Sequence, residues 1–222
     1  MNEQLSIIKL NALLGARLHE DPFPYMVIND FLRTEYAETI YQDFPAIKSR
    51  GSYPLQEVKC GKTFQRLVDE LQSPALKSAI AEKFQIDLDD RSTMITVRGM
   101  ASARDGRIHT DTKSKFLTML LYLNPTWESA GGWLRILKNG RNLEDYVVEI
   151  PPTFGTCLLF KVTENCWHGH KPFIGPRKVL QLNYVTDEAA LNRHLWRHRI
   201  TARLKNIQQL LKGSSWIFPV LV

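Results

Sequence analysis

Two stretches of this 222-residue chain carry side chains that could do chemistry together. One is His109-Thr110-Asp111; the other runs Cys166-Trp167-His168-Gly169-His170-Lys171-Pro172-Phe173-Ile174-Gly175-Pro176-Arg177. A histidine and a carboxylate from one strand end, joined by a histidine from another, make a ligand set for one metal ion. Two neutral imidazoles and one carboxylate on one face of an octahedron leave positions open, as in non-haem iron(II) sites. His168 and His170 compete for the second imidazole, because alternate residues of a strand point the same way. Arg177 would then hold the far carboxylate of an acid bound at the metal, since a guanidinium fork matches a carboxylate bidentately.

These residues need strands to hold them. From Met94 onward the texture is strand-like: Ile95–Arg98 alternates, Arg104-Asp105-Gly106 loops into Ile108-His109, and Phe116–Leu123 is a longer run. Asn124-Pro125 turns the chain. Trp133–Leu137, Val147–Ile150, Thr156–Val162 and Val179–Val185 supply further strands. About eight short strands separated by turns suit a double-stranded β-helix, the cupin-like jelly roll, whose open end holds a ligand. The fold class expected is mainly β with flanking helices. Ahead of the strands, residues 1–18 read as an amphipathic helix, Tyr25–Ile28 as a short strand, and Arg33–Phe44 as a helix stopped by Pro45. Residues 46–62 lack a period and read as a long loop at the mouth of the site. Ser73-Pro74 starts a helix, with serine as N-cap and proline in the first turn. The chain is expected to be one domain, 1–222. Its parts are a support segment (1–93), a jelly-roll core (94–186) and a basic C-terminal helical segment (187–222) ending in the apolar Trp216–Val222.

From Ile95 to Val185 the sequence resembles the 2-oxoglutarate/iron(II)-dependent dioxygenases, in particular their prolyl-4-hydroxylase-like branch. The matching stretches are His109-Thr110-Asp111, Leu121-Tyr122-Leu123-Asn124, Gly131–Ile136, Glu149–Pro152, Leu158–Phe160 and His168–Arg177. The resemblance implies iron(II) on His109, Asp111 and His168. His168 is preferred to His170 because the family ligand lies nine residues before the basic residue and four before a proline, here Arg177 and Pro172. It also implies 2-oxoglutarate as co-substrate, anchored by Arg177 and the Tyr122 hydroxyl. Gln181 and Asn183, with Thr118 and Leu120, fall on neighbouring strand positions that could line the pocket; Asn183 replaces an aromatic residue seen in some relatives. Oxygen is the second co-substrate, succinate and carbon dioxide the products, and ascorbate a further candidate cofactor. The prime substrate expected is a small molecule or sugar-type biosynthetic intermediate. The alternatives are a protein (prolyl-type) residue hydroxylase and a non-catalytic metal-binding jelly-roll protein.

Composition agrees with a soluble globular chain. No apolar run is long enough for a membrane helix, and no secretory signal is read at the N-terminus. Cys60, Cys157 and Cys166 form no C-x-x-C pair, so reduced thiols and a cytoplasmic location are expected. The net charge of +6 owes much to the last forty residues. Without a recognised binding motif it reads as a solvated helix face, so nucleic acid is not an expected partner, and the oligomeric state stays open. No G-x-S-x-G, P-loop or Rossmann glycine pattern appears, so hydrolase, kinase and dehydrogenase readings have no support.

Overall fold

The computed structural model describes residues 5–187. Nine strands form two antiparallel sheets among these residues. They are β1 (Tyr25–Ile28), β2 (Tyr53–Pro54), β3 (Thr93–Ala101), β4 (Lys115–Tyr122), β5 (Leu134–Leu137), β6 (Tyr146–Ile150), β7 (Cys157–Lys161), β8 (His168–His170) and β9 (Gly175–Val185). The larger sheet has the order β1-β7-β4-β9-β3-β2, and the smaller one the order β6-β5-β8. This is the double-stranded β-helix expected.

The period-2 pattern of the central strands decides what each face meets. On β4, Leu117, Met119 and Leu121 join the core shared with the helices, beside Phe64, Leu67, Leu76 and Ile80. The alternate residues Thr118, Leu120 and Tyr122 face the opposite way, into a cavity that Leu134 of the smaller sheet also lines. β9 divides in the same manner: Leu180, Leu182 and Tyr184 enter the helix-side core, while Arg177, Val179, Gln181 and Asn183 line the cavity. β4 and β7 read as nearly continuous apolar runs, whereas β9 keeps polar residues on the cavity face.

Among the described residues, four α-helices support the larger sheet: α1 (Leu10–Gly15), α2 (Ala37–Asp43), α3 (Lys62–Leu71) and α4 (Pro74–Phe84). Ser73 caps α4 as expected, its hydroxyl accepting from the Leu76 amide at 3.3 Å. Three sequence expectations change. The helix expected over 1–18 is confined, within the described residues, to the six residues of α1. The helix expected from Arg33 opens with a 3-10 turn, Thr34–Tyr36, before α2. The loop over 46–62 contains β2 and a second 3-10 turn, Leu55–Glu57, and its last residue opens α3. Helix α3 buries Phe64, Leu67, Val68 and Leu71, a helical spacing. Its N-terminus lacks a local side-chain cap; the Asp43 carboxylate, twenty residues away, accepts from the Thr63 amide at 2.6 Å. A cap supplied from another element leaves no local sequence signal. The C-terminal helical segment and the apolar tail fall outside the described residues.

Candidate active site

His109 follows the loop after β3, and His168 opens β8. Their backbones are tied directly: each amide donates to the other's carbonyl at 3.0 Å. Asp111 lies two residues beyond His109, and one ligand atom from each of the three side chains falls within 4.8 Å of the others. Each histidine has its Nδ1 against a backbone carbonyl, Arg107 for His109 and Cys166 for His168, both at 2.8 Å. A carbonyl can only accept, so Nδ1 carries the proton and Nε2 keeps its lone pair free for a metal. Burial, and then the neighbouring His109, push the His168 pKa down to about 4. The ring is therefore neutral at pH 7, as a metal ligand must be.

Asp111 stays ionised. Burial by itself pushes its carboxyl up, but Lys115, then His168 and Thr118, more than offset this and hold it below the usual carboxylate range. Lys115 donates to Oδ1 at 3.0 Å and Thr118 to Oδ2 at 2.6 Å. Thr118 also lies 3.0 Å from Oδ1 of Asn183, but its single proton goes to the shorter, charged contact. The Asn183 Nδ2 atom, fully buried, has no protein partner. Turning the amide over would exchange the roles of its two atoms and orphan the other one, so either way Asn183 offers the cavity an unmet polar group.

Arg177 sits on the same side of β9 and is 5% exposed. Its Nε donates to the Gly132 carbonyl at 3.1 Å and its Nη2 to the Tyr122 hydroxyl at a long 3.5 Å. Tyr122 is completely buried, and burial raises its pKa, opposed by the Arg177 charge. No carboxylate among the described residues is paired with Arg177. A buried cation without a counter-ion is costly, and a bound anion would relieve that cost. Burial lowers its pKa, yet arginine remains charged at any ordinary pH.

The cavity that joins these groups has a volume of about 410 Å³. All seven residues singled out from the sequence line it: His109, Asp111, His168, Arg177, Tyr122, Gln181 and Asn183. His170 lines it too and is buried, but its ring is not in the ligand cluster. Its Nδ1 faces the Lys171 carbonyl at 2.8 Å, and burial, then the Arg177 charge, push its pKa down to about 4. Sequence reasoning missed Lys115, Arg98, Asp105, Arg104 and Arg107, which also line the cavity. Only Lys115 left a trace, as the residue four beyond Asp111. The rest belong to β3 and the loop after it, which come beside the site only when the sheet forms.

The two buried histidines set a pH dependence for the metal-free protein. Their folded pKa values, about 4, lie below the ordinary 6.5, so the unfolded chain binds more protons between these limits. Their contribution is fully present above about pH 6.5 and falls away as pH drops from there to about 4. Each histidine adds a slope of up to about 1.4 kcal/mol per pH unit. Urea unfolding at pH 7, 5.5 and 4.5 should show this loss, and His170→Gln should flatten it. An identical profile in that variant would remove His170 from the account.

Residues 97–185 match the model of the 2OG-Fe(II) oxygenase superfamily. No curated protein sequence matches significantly. Among solved structures, the chain is similar to a prolyl 4-hydroxylase from Phytophthora capsici at 17% identity and a TM-score of 0.56, covering 83% of this chain and 67% of that one. It is similar to a prolyl-4-hydroxylase from Pseudomonas putida at 16% identity and a TM-score of 0.52, covering 79% and 96%. HygX from Streptomyces hygroscopicus, solved with nickel and 2-oxoglutarate bound, is similar at 12% identity and a TM-score of 0.52, covering 72% and 81%. At these identities the structural likeness establishes the fold. Among the described residues no helix is long and apolar enough to cross a membrane. The matched stretch, residues 97–185, holds His109, Asp111, His168 and Arg177, so the likeness to the 2OG-Fe(II) oxygenase superfamily falls on the part of the chain that carries the site.

Proposed function

We propose that this protein hydroxylates a small molecule or sugar-type biosynthetic intermediate, with iron(II) on His109, Asp111 and His168 and with 2-oxoglutarate as co-substrate. The observation that carries the reading is the buried Arg177, without a carboxylate partner among the described residues, in the same cavity as the His109-Asp111-His168 cluster. Two imidazole nitrogens and one carboxylate fit iron(II) and leave positions open. The fork of Arg177, with the Tyr122 hydroxyl beside it, fits the distal carboxylate of 2-oxoglutarate. Gln181 and the unmet amide atom of Asn183 offer further hydrogen bonds to the co-substrate.

When bound, the metal and its co-substrate supply the oxidising chemistry, with oxygen consumed and succinate and carbon dioxide released. The protein's own residues do the rest. Arg107 and Cys166 carbonyls fix the histidine tautomers, Lys115 and Thr118 hold the Asp111 carboxylate in one orientation, and the apolar walls at Leu120, Leu134 and Val179 limit water. A cavity of about 410 Å³ is at the small end of ligand pockets and must also take the metal and co-substrate, which favours a small substrate group over a bulky one. As part of this proposal, residues 1–222 act as one domain around the barrel.

The test is anaerobic addition of iron(II) and 2-oxoglutarate to the wild-type chain, which should produce a weak visible charge-transfer band. Candidate small molecules are then screened for coupled succinate release, with and without ascorbate. Failure to bind 2-oxoglutarate in the presence of iron(II) would overturn the reading.

A further inference from the structure

The charges around the cavity do not balance, and the excess lies at its mouth. Five cationic side chains line it, Arg98, Arg104, Arg107, Lys115 and Arg177, against two carboxylates, Asp105 and Asp111. Arg98 is paired with Asp105 at 3.1 Å, and Lys115 with Asp111 at 3.0 Å. Arg177 is given an anion by the co-substrate on the reading above. Arg104 and Arg107 remain. Both are exposed while lining the cavity, which puts them at its rim, and neither forms an ion pair among the described residues.

We propose that the prime substrate carries an anionic oxygen group, a phosphate or a carboxylate, held at the cavity mouth by Arg104 and Arg107.

Exposed arginines are often only solvated, but these two stand on a backbone fixed at several points. The Ser102 amide and hydroxyl donate to Asp105 at 2.7 and 3.0 Å, and Asp105 is in turn tied to Arg98 on β3. The Gly106 carbonyl accepts from the His170 amide at 2.9 Å, and the Arg107 carbonyl accepts from His109 Nδ1 at 2.8 Å. Gly106 has a φ of +86°, and a Cβ there would lie 2.4 Å from the His170 ring, so only glycine lets the loop approach β8 so closely. The same loop thus orients a candidate metal ligand and presents two guanidinium groups beside it. A site whose backbone is already ordered loses little entropy on binding. Guanidinium groups select anionic oxygens that they can meet with two hydrogen bonds.

This inference rests on the proposed co-substrate site, and the experiment separates the two. The wild-type chain is loaded with nickel(II) as an unreactive stand-in and saturated with 2-oxoglutarate. Glycerol 3-phosphate, glycerate and glycerol are then titrated calorimetrically, a matched set differing in the anionic group. At least one anionic probe should bind roughly tenfold or more tightly than glycerol, and added salt should weaken that preference. The phosphate and carboxylate arms show which group the rim prefers. Arg104→Ala/Arg107→Ala should abolish most of the preference, whereas Arg104→Lys/Arg107→Lys, which keeps the charge and the stem, should recover part of it. Equal binding of all three probes, no binding at millimolar concentration, or an undiminished preference in the alanine variant overturns the inference. A wild-type chain that fails to take up 2-oxoglutarate at the loading step overturns the functional reading instead.

Discussion

On the proposed reading, Arg177→Ala should lower the affinity of the iron(II)-loaded protein for 2-oxoglutarate by roughly 2–5 kcal/mol, the cost of leaving a buried carboxylate without its cationic partner. In dissociation constant this is on the order of thirtyfold to several-thousandfold. The size follows from the surroundings of Arg177: it is 5% exposed, and no protein carboxylate competes for it among the described residues. Lysine keeps the charge but loses the fork, so Arg177→Lys falls between wild type and alanine. Tyr122→Phe removes one hydrogen bond to a charged group, roughly 1.5–3 kcal/mol. The contact from Arg177 to the Tyr122 hydroxyl is long, 3.5 Å, which leaves that hydroxyl free to turn toward a bound carboxylate. Iron(II) affinity stays nearly unchanged in all three variants, because neither residue belongs to the ligand cluster. The measurement is anaerobic 2-oxoglutarate titration. Wild-type affinity in Arg177→Ala would remove the co-substrate pocket and with it the main reason to read the site as an oxygenase and not as a simple metal binder.

His109→Ala, Asp111→Ala and His168→Ala should each abolish the charge-transfer band expected of the iron(II)–2-oxoglutarate complex, and His170→Ala should retain it. The three ligand variants differ in what else they disturb. His109 is exposed and has one side-chain hydrogen bond, to the Arg107 carbonyl, so its loss should leave folding almost untouched. Asp111→Ala strands Lys115, whose side chain is only 13% exposed, and also removes the acceptor of the Thr118 hydroxyl. That variant should lose stability as well as metal, because an ion left buried without its partner is costly. Asp111→Asn keeps the shape and one acceptor oxygen, which can face Lys115 while the amide NH2 donates to the Thr118 hydroxyl, so its loss of stability should be smaller than that of the alanine variant. Metal titration followed by urea unfolding checks both. A band surviving in His109→Ala or Asp111→Ala breaks the ligand assignment, and its loss in His170→Ala with retention in His168→Ala exchanges the two histidines.

The sequence by itself determined what depends on local period and short spacing. The alternation of Leu117, Met119 and Leu121 with Thr118, Leu120 and Tyr122 makes β4 a strand buried on both faces, and the Ser73-Pro74 start of α4 is a local signal. The order and spacing of His109, Asp111, His168 and Arg177 made these residues legible as one candidate site before any fold was known, because a metal and a carboxylate constrain which residue types can meet them. Tertiary structure decided what crosses between elements. Helix α3 is capped by Asp43 from another helix, so its start carried no local mark. His168 and His170 share a strand face, and only the approach of His109 to His168, through two mutual backbone hydrogen bonds, brings one of them into the ligand cluster. The Lys115–Asp111 and Arg98–Asp105 pairs are close in the chain, but that both line one cavity with Arg177 depends on β3, β4 and β9 sharing one sheet. That arrangement leaves Arg104, Arg107 and Arg177 without carboxylate partners among the described residues, because Asp105 and Asp111 are already taken. A surplus of charge at a site is a property of the fold, since it depends on which opposite charges the chain has brought within reach.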